Sequence, residues 1–227
     1  MSEDTINEKL LLRDNIKFFF LNPKIIFKKL SKSFSYGIIL LILILTKIIN
    51  TIVSVSLPKN VIKKTIESQT RGIYPQSAEI VKKFIYIINQ PSIQIFLSVA
   101  AVVVTIFSVS FIIFLILKAS KCSLKYNKVV SIYCLASLPI AIHNIVQAVY
   151  MFISQKPIIH PNSAIHTTVA AVIYDSINIF SIWQYILLGI GICSVSKISK
   201  RKAIIITLIC FIFFEGIAIG IGLTKVS

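Results

Sequence analysis

The sequence predicts an all-α membrane protein: a five-helix transmembrane bundle with short amphipathic interfacial helices. Hydrophobic residues make up 56% of the 227-residue chain, and the mean hydropathy is +0.87. Five apolar runs are each long enough to cross a bilayer, which takes about 20 helical residues. Charged residues are only 14% of the chain and lie mostly between these runs, whereas soluble domains are about 25% charged.

The apolar runs define one membrane domain behind a short N-terminal segment, residues 1–35. We place the spans at residues 36–57, 93–117, 129–153, 171–195 and 203–223. Hydropathy defines the fourth span least clearly, because Asp175, Asn178 and Gln184 interrupt it. The first 17 residues are rich in charge, so no cleavable signal peptide is predicted.

Three segments outside the spans have the pattern of basic amphipathic helices. FLNPKIIFKKLSK (20–32) offers Asn22 as a helix N-cap and Pro23 at the first helical position. Its apolar residues then alternate with lysines, which suits a helix in the headgroup plane. PKNVIKKTIESQ (58–69) and SAEIVKKFIYII (77–88) show similar spacing. These last two are interfacial helices or parts of a loop folded over the bundle.

The distribution of Lys and Arg predicts the orientation in the membrane. Residues 1–35 carry seven, 118–128 four and 196–202 four, and these segments share one side if there are five spans. The other side has eight, six of them in the long link 58–92. Under the positive-inside rule the N-terminus is cytoplasmic. A net charge of +16 spread between apolar runs favours anionic lipid headgroups, not nucleic acid, as its partner.

No residue pattern indicates catalysis, a cofactor or a metal. The Gly-x-Gly at 189–191 lies late in an apolar run with no preceding strand, so it is not a phosphate loop. His160 and His166 share a loop with no third ligand nearby, and the four cysteines lack metal-site spacing. Asp175 and Glu215 lie at different depths on different spans, which argues against a carboxylate pair. We therefore expect no enzyme.

Polar side chains near the membrane midplane form the candidate site. A charge at that depth costs on the order of 3 kcal/mol, so a span that carries one usually turns it toward the bundle interior. Gln147 in span three lies at a similar depth, about one helical turn beyond Asn144. The predicted set is Lys47 in span one, His143 and Asn144 in span three, Gln184 in span four and Glu215 in span five.

We hypothesise that Lys47 and Glu215 form an ion pair, which would make spans one and five neighbours. His143, Asn144 and Gln184 would surround the pair with hydrogen bonds. Two alternatives remain open. The groups lie apart, with Lys47 reaching an interface and the amides joining helices, or the set serves transport or a proton relay.

Small and aromatic residues suggest further packing contacts. Gly216, Gly220 and Gly222 line span five, and the four-residue spacing of Gly216 and Gly220 allows another helix to approach closely, within the bundle or in a dimer. Internal packing is favoured. Trp183, Tyr185 and Tyr150 are expected to serve packing or the membrane interface.

Three stretches together resemble the Yip1 family of small polytopic membrane proteins. They are NPKIIFKKL (22–30), YNKVVSIYCLASLPIAI (126–142) and IFSIWQYILLGIGICSVSKISKRKAIIITL (179–208). The resemblance implies a five-helix membrane bundle with a cytosolic N-terminus. Eukaryotic members act in vesicle traffic with Rab-type GTPases. This chain has only about 35 residues before the first span and lacks their Asp-Leu-Tyr-Gly-Pro type of tract, so the GTPase link stays open.

The expected function is a non-enzymatic one, organising membrane or partner proteins through basic cytoplasmic surfaces. The alternative is a small transporter or channel subunit that uses the midplane set, to which a helix broken at Pro139 would contribute. Protein partners or a homo-oligomer are possible. The Ile- and Lys-heavy composition is typical of an AT-rich prokaryotic coding sequence, which predicts a prokaryotic cell membrane, or an ER or Golgi membrane in a eukaryote.

Overall fold

The computed structural model describes residues 19–33, 36–57, 83, 86–88, 90–155, 169–196 and 198–223, with side chains except at 30–33, 170, 171, 174 and 175. These residues are about 90% helical, and no strand occurs among them. The helices are α1 Pro23–Ser33, α2 Gly37–Ser56, α3 Pro91–Ala119, α4 Tyr126–Ala136, α5 Leu138–Ser154, α6 Val169–Ser176, α7 Ile179–Ser196 and α8 Lys200–Leu223.

Five helical segments are long and apolar enough to cross a membrane, which confirms the predicted class and number of spans. Spans one, two and five are α2, α3 and α8, span three is α4 followed by α5, and span four is α7. The predicted segments 58–69 and 77–88 lie largely outside the described residues, as do His160 and His166. That the spans form a single domain stays a prediction.

Span three is broken into two helices at Ser137, and Pro139 is the cause. Proline has no N–H and its ring clashes with the carbonyl one turn earlier, so it interrupts a helix. The Ser137 N–H donates to the carbonyls of Tyr133 (2.9 Å) and Cys134 (3.1 Å), which closes α4, and the Ile140 N–H donates to the Ser137 carbonyl (3.0 Å), which opens α5. The break therefore places the Ser137 hydroxyl inside the bundle.

Span four begins at Ile179, eight residues later than predicted, because Asn178 caps the helix. The Asn178 Oδ1 accepts hydrogen bonds from the N–H groups of Phe180 and Ser181, both at 3.0 Å. The Ser181 hydroxyl accepts in return from the Asn178 N–H at 3.2 Å. This reciprocal arrangement is a capping box. The residues before it form the separate helix α6, so polar Asn178 marks a helix start inside the apolar run.

Helix α1 forms where the basic amphipathic pattern predicted it, and part of its apolar face is covered by protein. Ile26 and Phe27 are 4% and 2% exposed, and the helix packs on α7 and α4. Lys24 and Lys28 are exposed. Ile25 of the same helix is 37% exposed, so the cover of the apolar residues is partial.

Segment 19–27 runs alongside span four. Phe20 lies against Trp183, with ring centroids 5.4 Å apart, and Phe27 lies against Gly191. Phe20 and Phe27 are seven residues apart, and their partners Trp183 and Gly191 are eight residues apart. The two segments therefore run in the same direction over about 10–12 Å at 1.5 Å per helical residue.

Span three is the centre of the bundle. Of the residues in its most apolar part, 61% are buried, against at most 33% in any other span. Span one packs on spans two and three, and span four packs on spans three and five. Span five packs mainly on α7 and α6. Many apolar side chains on the outer faces are exposed, including Phe96, Ile204 and Ile212, as expected of helices that face lipid.

The basic links after spans two and four meet at one end of the bundle. After α3 the chain turns through Lys121, which has a φ of 60°. The N–H of Lys121 donates to Lys118 and that of Cys122 to Leu117, both at 3.0 Å, which is a Schellman turn. The Cys122 thiol then lies 3.9 Å from the carbonyl oxygen of Ser196. The two links therefore share a face, as the five-span arrangement predicted.

Candidate functional site

Asn50 joins span one to span three. Its side chain is 3% exposed, and its Nδ2 donates to the backbone carbonyl of Asn144 (3.0 Å) and to Oε1 of Gln147 (3.2 Å). Asn144 and Gln147 are themselves 7% and 9% exposed. A buried amide whose Nδ2 bonds two groups of a neighbouring span holds the two helices together.

Thr51 joins span one to span two, one residue further along. Its hydroxyl donates to the Lys47 carbonyl at 2.9 Å and lies 2.9 Å from the Ser98 hydroxyl. A hydroxyl has one proton to give. If that proton goes to the carbonyl, Ser98 must donate to Thr51, and both hydroxyls are satisfied.

Gln184 joins span four to the break in span three. Its Nε2 donates to the Ser137 hydroxyl at 2.9 Å, and that hydroxyl donates to the Tyr133 carbonyl at 2.8 Å. The Tyr133 side chain also interacts with Gln184 and Ser137. Polar neighbours of this kind are what allow a broken helix inside a membrane. The break at Ser137 is therefore lined by polar side chains that bond to one another and to the end of α4.

His143 packs against the beginning of span four. Its ring lies 4.9 Å from that of Phe180, at an interplanar angle of 42°. The residue belongs to the same helix as Asn144 but contacts a different span. Of the predicted set, Asn144, Gln184 and His143 thus lie at contacts of span three with spans one and four.

Lys47 and Glu215 belong to different parts of the bundle, which corrects the predicted neighbourhood of spans one and five. Glu215 is the only acid among the side chains that the structure describes, and it lies near Tyr185 of span four. α2 and α8 are not among the helix pairs that pack extensively in the described residues. Span two packs on α2 and contacts α8 only slightly, and the described residues show no ion pair between Lys47 and Glu215.

The glycines of spans four and five also differ from expectation. A Cβ on Gly216 or Gly220 would meet no described atom within 4 Å, so internal packing, the favoured interpretation, does not hold at these two positions, whereas a Cβ on Gly222 would meet the Val172 side chain of α6. Gly191 instead allows the close approach. A Cβ there would lie 2.6 Å from Phe27 and 2.7 Å from Ile132. The second glycine of the Gly-x-Gly motif in span four therefore serves helix packing.

Sequence reasoning missed four of the bonding partners. Thr51, Ser98 and Ser137 are small polar residues that occur often in apolar helices and give little signal. Asn50 gave a clearer one, because it lies one turn from Lys47 in the stretch LILILTKIIN. A strongly polar amide so near a charged residue marks the face that the helix buries.

The buried site consists of amides and hydroxyls that bond to one another between spans, and it can act as interhelical attachment. Its role, structural or in transport, stays a prediction. The arrangement of apolar spans defines the class: an integral membrane protein that crosses the bilayer several times.

The family follows from a comparison with protein-family models. The model described as the Yip1 domain matches residues 17–221, nearly the whole chain. The chain therefore belongs to the Yip1 family, which confirms the resemblance of its three stretches. Comparisons with curated proteins and with solved structures find no significant match.

Proposed function

We propose that this Yip1-domain protein acts without catalysis, as a membrane scaffold that gathers partner proteins at the basic end of its bundle. The observation that carries the proposal is the use of the buried polar groups. Asn50, Gln147 and Gln184 are each engaged in hydrogen bonds between spans. A transporter or a membrane enzyme needs such groups to meet solute, water or substrate.

The basic end supplies the surface for partners. Around the Cys122–Ser196 contact, the structure leaves these cationic residues exposed: Lys118, Lys121, Lys125, Lys200, Arg201 and Lys202. Their charge suits acidic segments of proteins and anionic headgroups. Under the positive-inside rule this end faces the cytoplasm. The Yip1 family is not known for an enzymatic activity, which agrees with a scaffold.

Crosslinking in native membranes followed by mass spectrometry tests the scaffold role. The variant to compare carries glutamine at Lys121, Lys125, Arg201 and Lys202, and we expect it to lose most crosslinked partners while it still inserts. The control carries glutamine at Lys59, Lys63, Lys64 and Arg71, which the sequence places on the opposite side. Equal loss in both variants, or none in either, contradicts the proposal.

A flux measurement tests the transport alternative directly. We expect liposomes that contain the protein to be no more permeable to protons, Na⁺ or K⁺ than empty ones, with or without Glu215→Gln. A flux that the parent chain supports and Glu215→Gln abolishes would favour a conduit and count against the scaffold.

A further inference from the structure

A groove of about 520 Å³ opens between spans four and five. Its walls are apolar side chains of both helices, such as Ile186 and Ile190 on α7 and Ile204 and Leu208 on α8. The volume lies within the usual range of small-molecule sites, about 300–1,000 Å³. Ile186, Ile204 and Leu208 are 52–58% exposed. The groove therefore opens on the outer side of the bundle, where lipid chains surround a membrane protein.

The groove has the length of one membrane leaflet. Its lining extends from Ile182 to Ser194 on α7 and from Lys200 to Phe211 on α8. At 1.5 Å per residue these stretches are about 16–18 Å long. Half of a hydrocarbon core of about 30 Å is about 15 Å. A single acyl chain that enters from the basic end would therefore be covered along its whole depth.

Two cations line this otherwise apolar groove. Lys200 lies at the basic end, where α8 begins, and Lys24 reaches the groove from α1. Among the described residues that line it, none is acidic. A lysine has a four-carbon stem that can lie along apolar surface while its ammonium group reaches the headgroup region. Lys200 can thus approach a lipid phosphate at the basic end, and Lys24, which lies between Phe20 and Phe27 alongside span four, adds positive charge deeper in the groove.

Helix α1 and a glycine help to form the groove. Packing of Phe27 on Gly191 fixes α1 beside α7, which brings Lys24 to the lining. At Gly189, a Cβ would lie 3.1 Å from Oγ1 of Thr207, so this glycine lets α8 lie close at the groove floor. The two glycines of span four therefore shape the site without contacting a headgroup.

We propose that this groove is a binding site for an anionic glycerophospholipid. One acyl chain lies between α7 and α8, the phosphate lies near Lys200 at the basic end, and Lys24 adds positive charge deeper in the groove. Charge complementarity selects an anionic lipid over a zwitterionic one, and the apolar walls select a lipid over a soluble phosphate. The site does not depend on the scaffold role, since it concerns the lipid-facing side of spans four and five.

Native mass spectrometry of the purified full chain, titrated with phosphatidylglycerol or phosphatidylcholine, tests the site. We expect the first phosphatidylglycerol molecule to bind saturably, with a lower dissociation constant than the first phosphatidylcholine molecule. Lys24→Gln combined with Lys200→Gln should weaken it about thirtyfold, which corresponds to about 1 kcal/mol for each lysine near an anionic lipid. The control, Lys121→Gln with Lys125→Gln, removes the same charge away from the groove and should leave the first site intact.

A second variant tests the acyl-chain part of the site. Ile204→Trp fills the groove from an exposed position and should reduce binding of both lipids at the first site, while glycerol phosphate without acyl chains should not compete. Equal weakening by the two lysine pairs, an unaffected first site in Ile204→Trp, or competition by glycerol phosphate would overturn the proposal. Lost lipid binding with unchanged crosslinked partners would leave the scaffold proposal standing.

Discussion

At Gly191, span four packs so closely on α1 and span three that no room is left for a side chain. The Cβ of an alanine would lie under 3 Å from both Phe27 and Ile132, closer than atoms can approach without displacement. Neither neighbour is a flexible surface side chain, because Phe27 is 2% and Ile132 3% exposed. One hydrogen atom in place of a methyl group therefore sets the distance between three helices.

We predict that Gly191→Ala destabilises the protein by about 1–3 kcal/mol, the usual cost of overpacking a filled core. The measurement is unfolding in detergent micelles, followed by circular dichroism. Gly216→Ala is the matched control, because its Cβ would meet no described atom within 4 Å and alanine favours a helix by up to about 1 kcal/mol. Equal destabilisation by both substitutions would show that the Gly191 contacts do not limit packing.

The Asn50–Gln147 hydrogen bond can be measured as a coupling energy. Asn50→Ala, Gln147→Ala and the double variant form a cycle. We expect a coupling near 0.6 kcal/mol and below about 1.7 kcal/mol, the range found for such bonds inside membranes. Asn50→Ala should cost more than Gln147→Ala, because Asn50 also bonds the Asn144 carbonyl. Strictly additive single effects would mean that the bond contributes nothing in the membrane.

At the scale of helices, caps and breaks decide where the spans begin and how they bend. Hydropathy places the start of span four at residue 171, whereas the capping box of Asn178 and Ser181 starts it at Ile179. In span three, Pro139 divides one apolar run into two helices. Both features are local in sequence, yet hydropathy averages over them.

We predict that Asn178→Ala destabilises the protein by about 0.5–2 kcal/mol, the usual cost of a lost N-cap. Asn178→Asp should retain most of the stability, since an aspartate caps a helix about as well. The same unfolding measurement applies. Asn127→Ala, at an exposed position near the start of α4, is the control and should change little. If Asn178→Asp were as damaging as Asn178→Ala, capping would not be the reason.

At the scale of the whole molecule, the order of the spans determines which charges meet. Span three lies between span one and span four, and span five contacts chiefly span four and α6. Glu215 therefore finds Tyr185 on its neighbouring helix. The half-buried Lys47 lies on the other side of the bundle, near Asn50 and Thr51.

We predict that Lys47→Met and Glu215→Gln have additive effects on stability, within about 0.3–0.5 kcal/mol, as is usual for distant sites. Tyr185→Phe and Glu215→Gln should be non-additive, because the two side chains lie near each other and neighbouring residues couple. Both cycles use unfolding in micelles. A double variant of Lys47 and Glu215 that rescues either single variant would restore the ion-pair hypothesis.

The orientation of the bundle is open to a labelling experiment. Lys125→Cys and Arg201→Cys, made separately, place an exposed thiol on each of the two basic links. We expect a membrane-impermeant maleimide to label both in inside-out vesicles and neither in intact cells. The parent chain, with its four native cysteines, gives the background. Labelling of the two positions from opposite sides would contradict the shared face.

The sequence by itself determined the class, the number of spans and the family, and it placed four of the five spans within three residues. Long apolar runs leave a chain few ways to satisfy its backbone in a bilayer, so hydropathy predicts helices well. Charge distribution likewise predicted that the two basic links share an end. The sequence also indicated Asn144 and Gln184 as buried polar residues, because polar side chains are costly in apolar spans and usually turn inward.

Only the tertiary structure decided which of those side chains meet. Five apolar helices of similar composition can be arranged in several orders, and hydropathy does not distinguish one apolar neighbour from another. The packing of Phe27 on Gly191 and the hydrogen bonds of Asn50 and Gln184 fix one order, in which Lys47 and Glu215 lie apart. The same order creates the groove beside Lys24 and Lys200, because a site between helices depends on their spacing, which no single helix encodes.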